Sequence, residues 1–233
     1  MVEGKAAVRV ALIADAHLGG PGGEAGPLVE QLRALPRQGA ERLLLLGDLF
    51  QAWLGSDRFE TPEIRAVVPV LRELRRGGLA IDYVEGNRDF FLDGSPYADA
   101  FDHYGREVSF EAGGVRYLAV HGDGLDPSDR QYLFWRRLSK GAPARFLFTR
   151  IPRGIAGRLV HSTERRLSTT NFKHKARIPE EVLRAYGERR LAEGHDVLLL
   201  GHFHEERRWD VAGGRVWLLE AWFTSRRVEW LGP

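Results

Sequence analysis

Seven side chains in this sequence are of types that hold hard or borderline cations, and they fall in five clusters: Asp15 with His17, Asp48, Asn87, His121, and His202 with His204. Carboxylate, amide and imidazole donors suit Mn²⁺, Mg²⁺ or Fe²⁺, and with Cys 0 the chain has no thiolate to make a soft or structural zinc site. Seven ligands can hold two ions if one carboxylate is shared. Two ions ~3.5–4 Å apart generate a nucleophile from water and stabilise both the attacking and the leaving oxygen of a displacement at phosphorus. A lone His after a strand is more often a satisfied polar residue than a ligand, so the reading rests on the recurrence of the arrangement.

The elements that must position these residues are apolar runs. Val8 to Ala14 reads as a buried strand ending at Asp15, Arg42 to Leu46 as a second ending at Gly47-Asp48, and Ile81 to Glu85 as a third ending at Gly86-Asn87. Glu107 to Ala112 and Val115 to Val120, joined by Gly113-Gly114, form a hairpin signal that delivers His121. Val197 to Leu200 delivers Gly201-His202-Phe203-His204, and a last hairpin spans Arg207 to Ala221, followed by Arg227 to Leu231. In α/β sheets, ligands gather at the carboxyl ends of strands, where all five clusters fall.

Helices are expected over Leu28 to Leu35, over Thr61 to Arg76 with Thr61 as N-cap, Pro62 at the first position and Gly77 closing it, and over Pro179 to Glu193. The Gly-rich stretch Gly19 to Gly26 lacks the Gly-Lys-Ser/Thr ending of a nucleotide-binding loop and reads as a flexible connection. Pro127 to Leu138 and the block up to Arg177 read as helices with a broken pattern, with Phe146, Leu147, Phe148, Ile151, Ile155, Leu159 and Val160 as an apolar side. The expected architecture is a single layered α/β domain over 1–233 with a helical insertion at about 127–177.

The 233 residues are 43% hydrophobic and 28% charged, which suits a globular core and excludes wholesale disorder. No apolar segment at the start is long enough for a signal peptide, and the longest aliphatic runs fall far short of the ~20 residues that span a bilayer. A soluble or peripheral protein in a reducing compartment is expected. The net charge of +2 conceals an asymmetry: Arg136 to Arg177 carries twelve Lys or Arg against one acid, Glu164, and is +11, leaving −9 for the remainder. Such a block points to an anionic partner, against the plainer reading of a solvated helical surface. Its aromatic residues lie within apolar runs instead of being displayed between basic positions, which argues against a nucleic-acid partner. His103, His161 and His195 read as surface or local hydrogen-bonding groups, Trp209, Trp217 and Trp222 as core, and Trp53 as either core or ligand-stacking.

The set Asp15-Ala16-His17, Gly47-Asp48, Gly86-Asn87, His121-Gly122-Asp123 and Gly201-His202-Phe203-His204 resembles the calcineurin-like metallophosphoesterase superfamily in order and spacing over about the whole chain. The resemblance implies a β-sandwich flanked by helices. It also implies one ion on Asp15, His17, Asp48 and His204 and another on Asp48, Asn87, His121 and His202, with Asp48 bridging. Many members of that superfamily carry His after the metal-binding Asn, where it can protonate a leaving group. Arg88 stands there in this chain. It cannot act as a general acid at ordinary pH, so it suits a leaving group that needs no proton, such as a phosphate departing from a pyrophosphate.

The longer strings Gly47 to Gly55 and Gly86-Asn87-Arg88-Asp89-Phe90-Phe91, with Asp129 and Tyr132 after His121-Gly122-Asp123, resemble the UDP-2,3-diacylglucosamine hydrolases of lipid A synthesis. By that resemblance, water attacks the α-phosphorus of the UDP group, giving UMP and 2,3-diacylglucosamine 1-phosphate. The ions are Mn²⁺, and the enzyme sits peripherally on the cytoplasmic face of the inner membrane, in contact with its anionic lipid. The insertion covers the acyl chains. Asn87, Arg88 and His121 carry the catalytic step, and Asn87, Arg88, Asp129, Tyr132, Asn171, Lys173 and Lys175 contact substrate. Asp123 orients a ligand such as His121 through a hydrogen bond. The alternative is a related two-metal phosphoesterase acting on another nucleotide or lipid diphosphate.

Overall fold

The computed structural model describes residues 8–148, 150–151, 155 and 178–232. Its centre is two five-stranded sheets packed face to face. In the first, β1 (Val10–Ile13), β2 (Arg42–Leu45), β4 (Ala80–Val84) and β6 (His103–Gly105) run parallel, and β12 (Glu229–Leu231) pairs antiparallel with β1. In the second, the order is β10 (Arg207–Val211), β11 (Gly214–Leu218), β9 (Val197–Leu200), β8 (Val115–Val120) and β7 (Glu107–Ala112), with β11, β9 and β8 parallel. A two-stranded ribbon joins β3 (Trp53–Leu54) to β5 (Asp89–Phe90).

The period-2 alternation of strand side chains builds the layers. Val10, Leu12 and Ala14 point inward with Leu44, Leu46 and Val84, and meet Val108, Phe110, Ala119, Leu199 and Trp217 of the second sheet. Ala11, Ile13, Leu43, Leu45 and Ile81 point the other way, against α1 (Ala25–Ala34) and α2 (Pro62–Arg76) through Leu28, Leu32, Ile64, Val67 and Leu71. On the far side, α5 (Glu180–Leu191) lays Leu183 and Leu191 on Leu118, Leu198, Leu200 and Val216. The result is the helix-flanked β-sandwich expected from the sequence. Because both faces of each central strand are covered, these strands are continuous apolar runs.

Several local expectations hold, and others are corrected. Thr61 caps α2 by accepting from the Ile64 amide at 3.4 Å. Gly77 closes α2 as its C-cap, right-handed at φ −76°, and Gly78, at φ +96°, turns the chain away. Gly113 and Gly114 both have positive φ, as a tight hairpin turn requires. The Gly-rich stretch is a hydrogen-bonded turn in which the Gly19 amide reaches Gly23 O and Gly23 N reaches Gly20 O, leading directly into α1. Trp209, Trp217 and Trp222 are buried, and Trp53 is core too, packed among Phe50, Tyr83, Tyr97 and Phe101. His103 is exposed, His195 pairs with Ser109 Oγ at 3.0 Å, and His161 lies outside the described residues.

Within the stretch expected as an insertion, the described residues carry two helices, α3 (Arg130–Ser139) and α4 (Ala142–Phe148). Helix α3 starts three residues after Pro127 because the Asp129 carboxylate caps it, accepting from the Tyr132 amide at 2.9 Å. Phe148 packs on Phe59 and Phe91, while Phe134, Trp135, Leu138, Phe146, Leu147 and Ile155 stay largely exposed. Among the described residues, no helix is long and apolar enough to cross a membrane.

Candidate metal centre

All seven candidate ligands lie on the loops just beyond β1, β2, β4, β8 and β9, and the structure brings them into one cluster. Two groups of donor atoms are evident. In the first, His17 Nε2 and His204 Nε2 are 3.0 Å apart, and Asp15 Oδ1 lies 3.1 Å from His204 Nε2 and 3.5 Å from His17 Nε2. In the second, Asn87 Oδ1 lies 3.2 Å from His121 Nε2 and 3.1 Å from His202 Nδ1. Asp48 stands between them, with Oδ2 4.0 Å from His17 Nε2 and Oδ1 3.7 Å from His121 Nε2.

These donors fit a pair of divalent ions. Ligands ~2.1 Å from an ion and at right angles to one another stand about 3 Å apart, the spacing seen along the edges of both groups. The electronic arrangement agrees. His121 Nδ1 lies 2.7 Å from the Leu46 carbonyl and donates to it, which leaves the Nε2 lone pair facing the carbonyl oxygen of Asn87. With the ring neutral, these two acceptors held face to face are a place for a cation. Asp48 Oδ2 is buried without a hydrogen-bond partner, as suits an oxygen that would ligate a cation.

The backbone also carries strain here. Five of the seven described non-glycine residues with positive φ belong to the cluster: Asp15 (51°), His17 (45°), Asp48 (52°), His202 (68°) and His204 (61°). Such conformations persist only where the surroundings over-determine them, and they concentrate at functional sites. The glycine preceding three of the ligands has a steric reason. A Cβ on Gly47 would lie 2.7 Å from His121 Nδ1, one on Gly201 would lie 2.8 Å from Asp15 Oδ2, and one on Gly86 would collide with Asp48 Oδ1. Gly-ligand pairs are thus where one ligand loop slides under another.

Burial and charge act against each other in this cluster. For Asp15, burial works to raise the pKa, but His204 and His121 outweigh it and hold the carboxyl well below its ordinary value. Burial lowers His17 to about 4, against the pull of Asp15 and Asp48. Burial opposes charge on His121 too, yet Asp48 and Asp15 raise its pKa on balance. Asp89, which sequence reasoning left without a role, is fully buried and pushed up to about 7 by burial and then by Asp48. Its Oδ2 accepts from Gly86 N at 2.7 Å and Asp48 N at 3.1 Å, stapling two ligand loops together. The only signal for it was its position inside the Gly86 to Phe91 string.

The residues expected to contact substrate are placed unevenly. Arg88 is 3% exposed; its amide donates to Asp48 Oδ1 at 2.8 Å, its Nε stands 3.3 Å from Asp48 Oδ2, and its Nη1 donates to the Gln51 carbonyl at 3.1 Å. Asp129 is occupied as the α3 cap. Tyr132 donates through its hydroxyl to Asp123 Oδ2 at 2.5 Å, and Arg136 Nε donates to the same oxygen at 2.6 Å. The expected hydrogen bond from Asp123 to His121 is replaced, since the His121 ring nitrogens face Leu46 O and Asn87 Oδ1. Asp123 acts on His121 by charge: burial works to raise its pKa, but His121, Arg136 and His202 hold it well below the carboxylate range. Asn171, Lys173 and Lys175 lie outside the described residues.

No family model matches the chain. A UDP-2,3-diacylglucosamine hydrolase of Ralstonia nicotianae is 30% identical over 228 residues, covering 91% of this chain and 83% of that one. The chain belongs to the UDP-2,3-diacylglucosamine hydrolase family. Another member of the family, from Aeromonas hydrophila, is 29% identical over 93% of this chain and 91% of its own, and one from Pseudomonas putida is 32% identical over 67% and 68%. Among solved structures, an archaeal phosphodiesterase gives a TM-score of 0.46 at 12% identity, over 96% of this chain and 99% of that one.

Proposed function

We propose that this member of the family hydrolyses the pyrophosphate bond of UDP-2,3-diacylglucosamine at the α-phosphorus, releasing UMP and 2,3-diacylglucosamine 1-phosphate, as a step of lipid A synthesis. The observation that carries the reading is the donor cluster in which Asp48 faces His17 on one side and His121 on the other, in a chain whose relatives are named UDP-2,3-diacylglucosamine hydrolase. One ion is assigned to Asp15, His17, His204 and Asp48, the other to Asp48, Asn87, His121 and His202. When bound, the pair supplies the nucleophile and the positive charge that displacement at phosphorus requires. Hard oxygen and imidazole donors with no thiolate suit Mn²⁺, Mg²⁺ or Fe²⁺, and among these the family resemblance favours Mn²⁺.

Arg88 supplies a permanent charge beside the shared carboxylate and holds no transferable proton. That suits a phosphate leaving group, which departs without protonation, better than an alkoxide, which does not. Substrate is held by Asn87 and Arg88, with Asp129, Tyr132, Asn171, Lys173 and Lys175 assigned by resemblance.

The apolar part of the substrate is assigned to the insertion. A cleft between the core and α4, lined by Leu54, Phe59, Phe91, Arg145 and Phe148, offers apolar walls with a cation at the rim. The exposed Phe134, Trp135, Phe146 and Leu147, within or beside the +11 segment, suit peripheral contact with the anionic cytoplasmic face of an inner membrane.

The test is UMP release from the acylated sugar nucleotide by chelator-stripped protein with Mn²⁺ added back. Activity only on reloading is expected, with acylated substrate preferred. Full activity in the stripped protein sinks the two-metal reading. A preference for unacylated sugar nucleotides transfers the assignment to another nucleotide diphosphate.

A further inference from the structure

Helix α3 belongs to the insertion, yet its basic residues do not all face solvent. Arg136 and Lys140, one helical turn apart, both turn inward. Arg136 Nε donates to Asp123 Oδ2, whose carboxylate side chain is 4% exposed and also receives the Tyr132 hydroxyl. Lys140 Nζ pairs with Glu85 Oε1 and donates to the Gly86 carbonyl at 2.6 Å, with its own side chain 8% exposed. Asp123 lies two residues after His121, and Glu85 and Gly86 immediately precede Asn87.

Each tie acts where the backbone has little freedom of its own to fix the ligand. Between His121 and Asp123 is Gly122, at φ +107°, so the direction in which the chain leaves His121 is set by what holds Asp123. The Glu85-Gly86-Asn87 turn is gripped from two sides, by Lys140 on the Gly86 carbonyl and by the Asp89 carboxylate on the Gly86 amide. The loops of the other group are anchored elsewhere. Asp15 N donates to Gly47 O and His17 N to Asp48 O, while α6 (Trp222–Ser225) places the Trp222 amide on Ala14 O and the Phe223 ring against both His17 and His204.

We propose that Arg136 and Lys140 are positioning residues for the second ion, the one assigned to Asn87, His121 and His202, and that α3 thereby couples the insertion to that ion and not to its neighbour. A change in how the insertion sits, including one brought about by an apolar ligand beneath it, is transmitted to Asn87 through Lys140 and to His121 through Asp123. The inference rests on the dinuclear reading of the site, and its test separates the two.

Full-length protein is stripped with chelator and titrated with Mn²⁺, with uptake followed by calorimetry and by the electron paramagnetic resonance signal, which distinguishes isolated from coupled Mn²⁺. The wild-type chain takes two ions. Arg136→Met and Lys140→Met are expected to keep the affinity of the first ion and to weaken the second roughly 10–100-fold, the usual effect of removing a group that orients ligands. The Mn²⁺ signal then persists as that of isolated ions beyond one equivalent. Lys140→Arg, which keeps the charge and the reach to Glu85, is expected to restore most of the second affinity.

Equal weakening of both ions, as a general loss of packing would give, overturns the coupling, and so does wild-type uptake by both variants. If Lys140→Met shows no cooperative unfolding, Arg136→Met, which leaves Asp123 the Tyr132 hydroxyl, carries the same test with the same outcomes. A wild-type chain that binds fewer than two ions overturns the dinuclear reading, and the inference with it.

Discussion

The two donor groups are chemically alike and mechanically different. His17, His204 and Asp15 are held by the sandwich itself: their loops hydrogen-bond to the Asp48 loop and to α6, and α6 is tied to α1 through the Trp222 Nε1 bond to Gln31 at 2.6 Å. Asn87 and His121 sit on loops whose outer contacts come from α3, a helix of the insertion. One group is therefore held from within the sandwich, whereas the other is held in part by α3, the neighbour of α4, which lines the apolar cleft. On the proposed coupling, the half tied to α3 would be the half that registers an apolar ligand beneath the insertion.

The largest effect should come where the two groups meet. Asp48→Ala removes the carboxylate that stands between His17 and His121 and leaves the Arg88 guanidinium buried without its counter-charge. We expect kcat/KM for UMP release to fall by at least about 10³-fold, equivalent to ~4 kcal/mol of transition-state stabilisation, with neither ion retained on gel filtration. Retention of both ions would show that the groups are independent. Next come the single-group variants. Asn87→Ala and His121→Ala should each cost roughly 10²–10³-fold, or ~3–4 kcal/mol, and keep one equivalent of Mn²⁺ in metal analysis; His204→Ala should keep the opposite equivalent. The comparison breaks if all three variants lose the same ion.

A smaller effect separates the groups in the absence of metal. Gly201→Ala forces a Cβ against Asp15 Oδ2 and Leu46 O, deep in the sandwich, and Gly86→Ala forces one against Asp48. Overpacking of this kind costs about 1–3 kcal/mol. Urea unfolding of chelated protein should show the full loss for Gly201→Ala. Gly86→Ala, whose Cβ would collide with Asp48 Oδ1 and lie 2.6 Å from the Asp48 amide nitrogen, should show less only if the β4 loop yields toward α3. Equal losses would mean that the second loop is as firmly seated as the first.

Legibility in the sequence followed the range of the interaction. The five strand-end clusters were readable because each ligand type follows its own apolar run, and the layers because the runs are apolar on both faces. The pairing of Glu229–Leu231 with Val10–Ile13 was not, since nothing local distinguishes a third strand of a hairpin from the edge of the other sheet. The same holds for side-chain direction. Arg88 could be read as a phosphate fork, but not as the partner of Asp48 and of the Gln51 carbonyl. Asp129 has the residue type of both a substrate contact and a helix cap, and the structure uses it as a cap. Within a run of twelve basic residues, charge alone could not single out Arg136 and Lys140, whose partners Asp123 and Glu85 lie 13 and 55 positions away.

The smallest effect concerns what holds the first group from behind. Trp222 is fully buried, its amide donates to Ala14 O at 2.8 Å, and its indole N–H donates to Gln31 Oε1, so it joins α6 to both β1 and α1. Trp222→Phe keeps most of the ring and removes that donor, leaving the Gln31 oxygen to find another partner. A loss of about 1 kcal/mol is expected from the thermal or urea transition. If the first group is held by the core, the same substitution should weaken the His17 and His204 ion by only a few-fold and leave the Asn87 and His121 ion unchanged. A Trp222→Phe variant that instead loosened the second ion would show that the two groups share one support, and that α3 is not what distinguishes them.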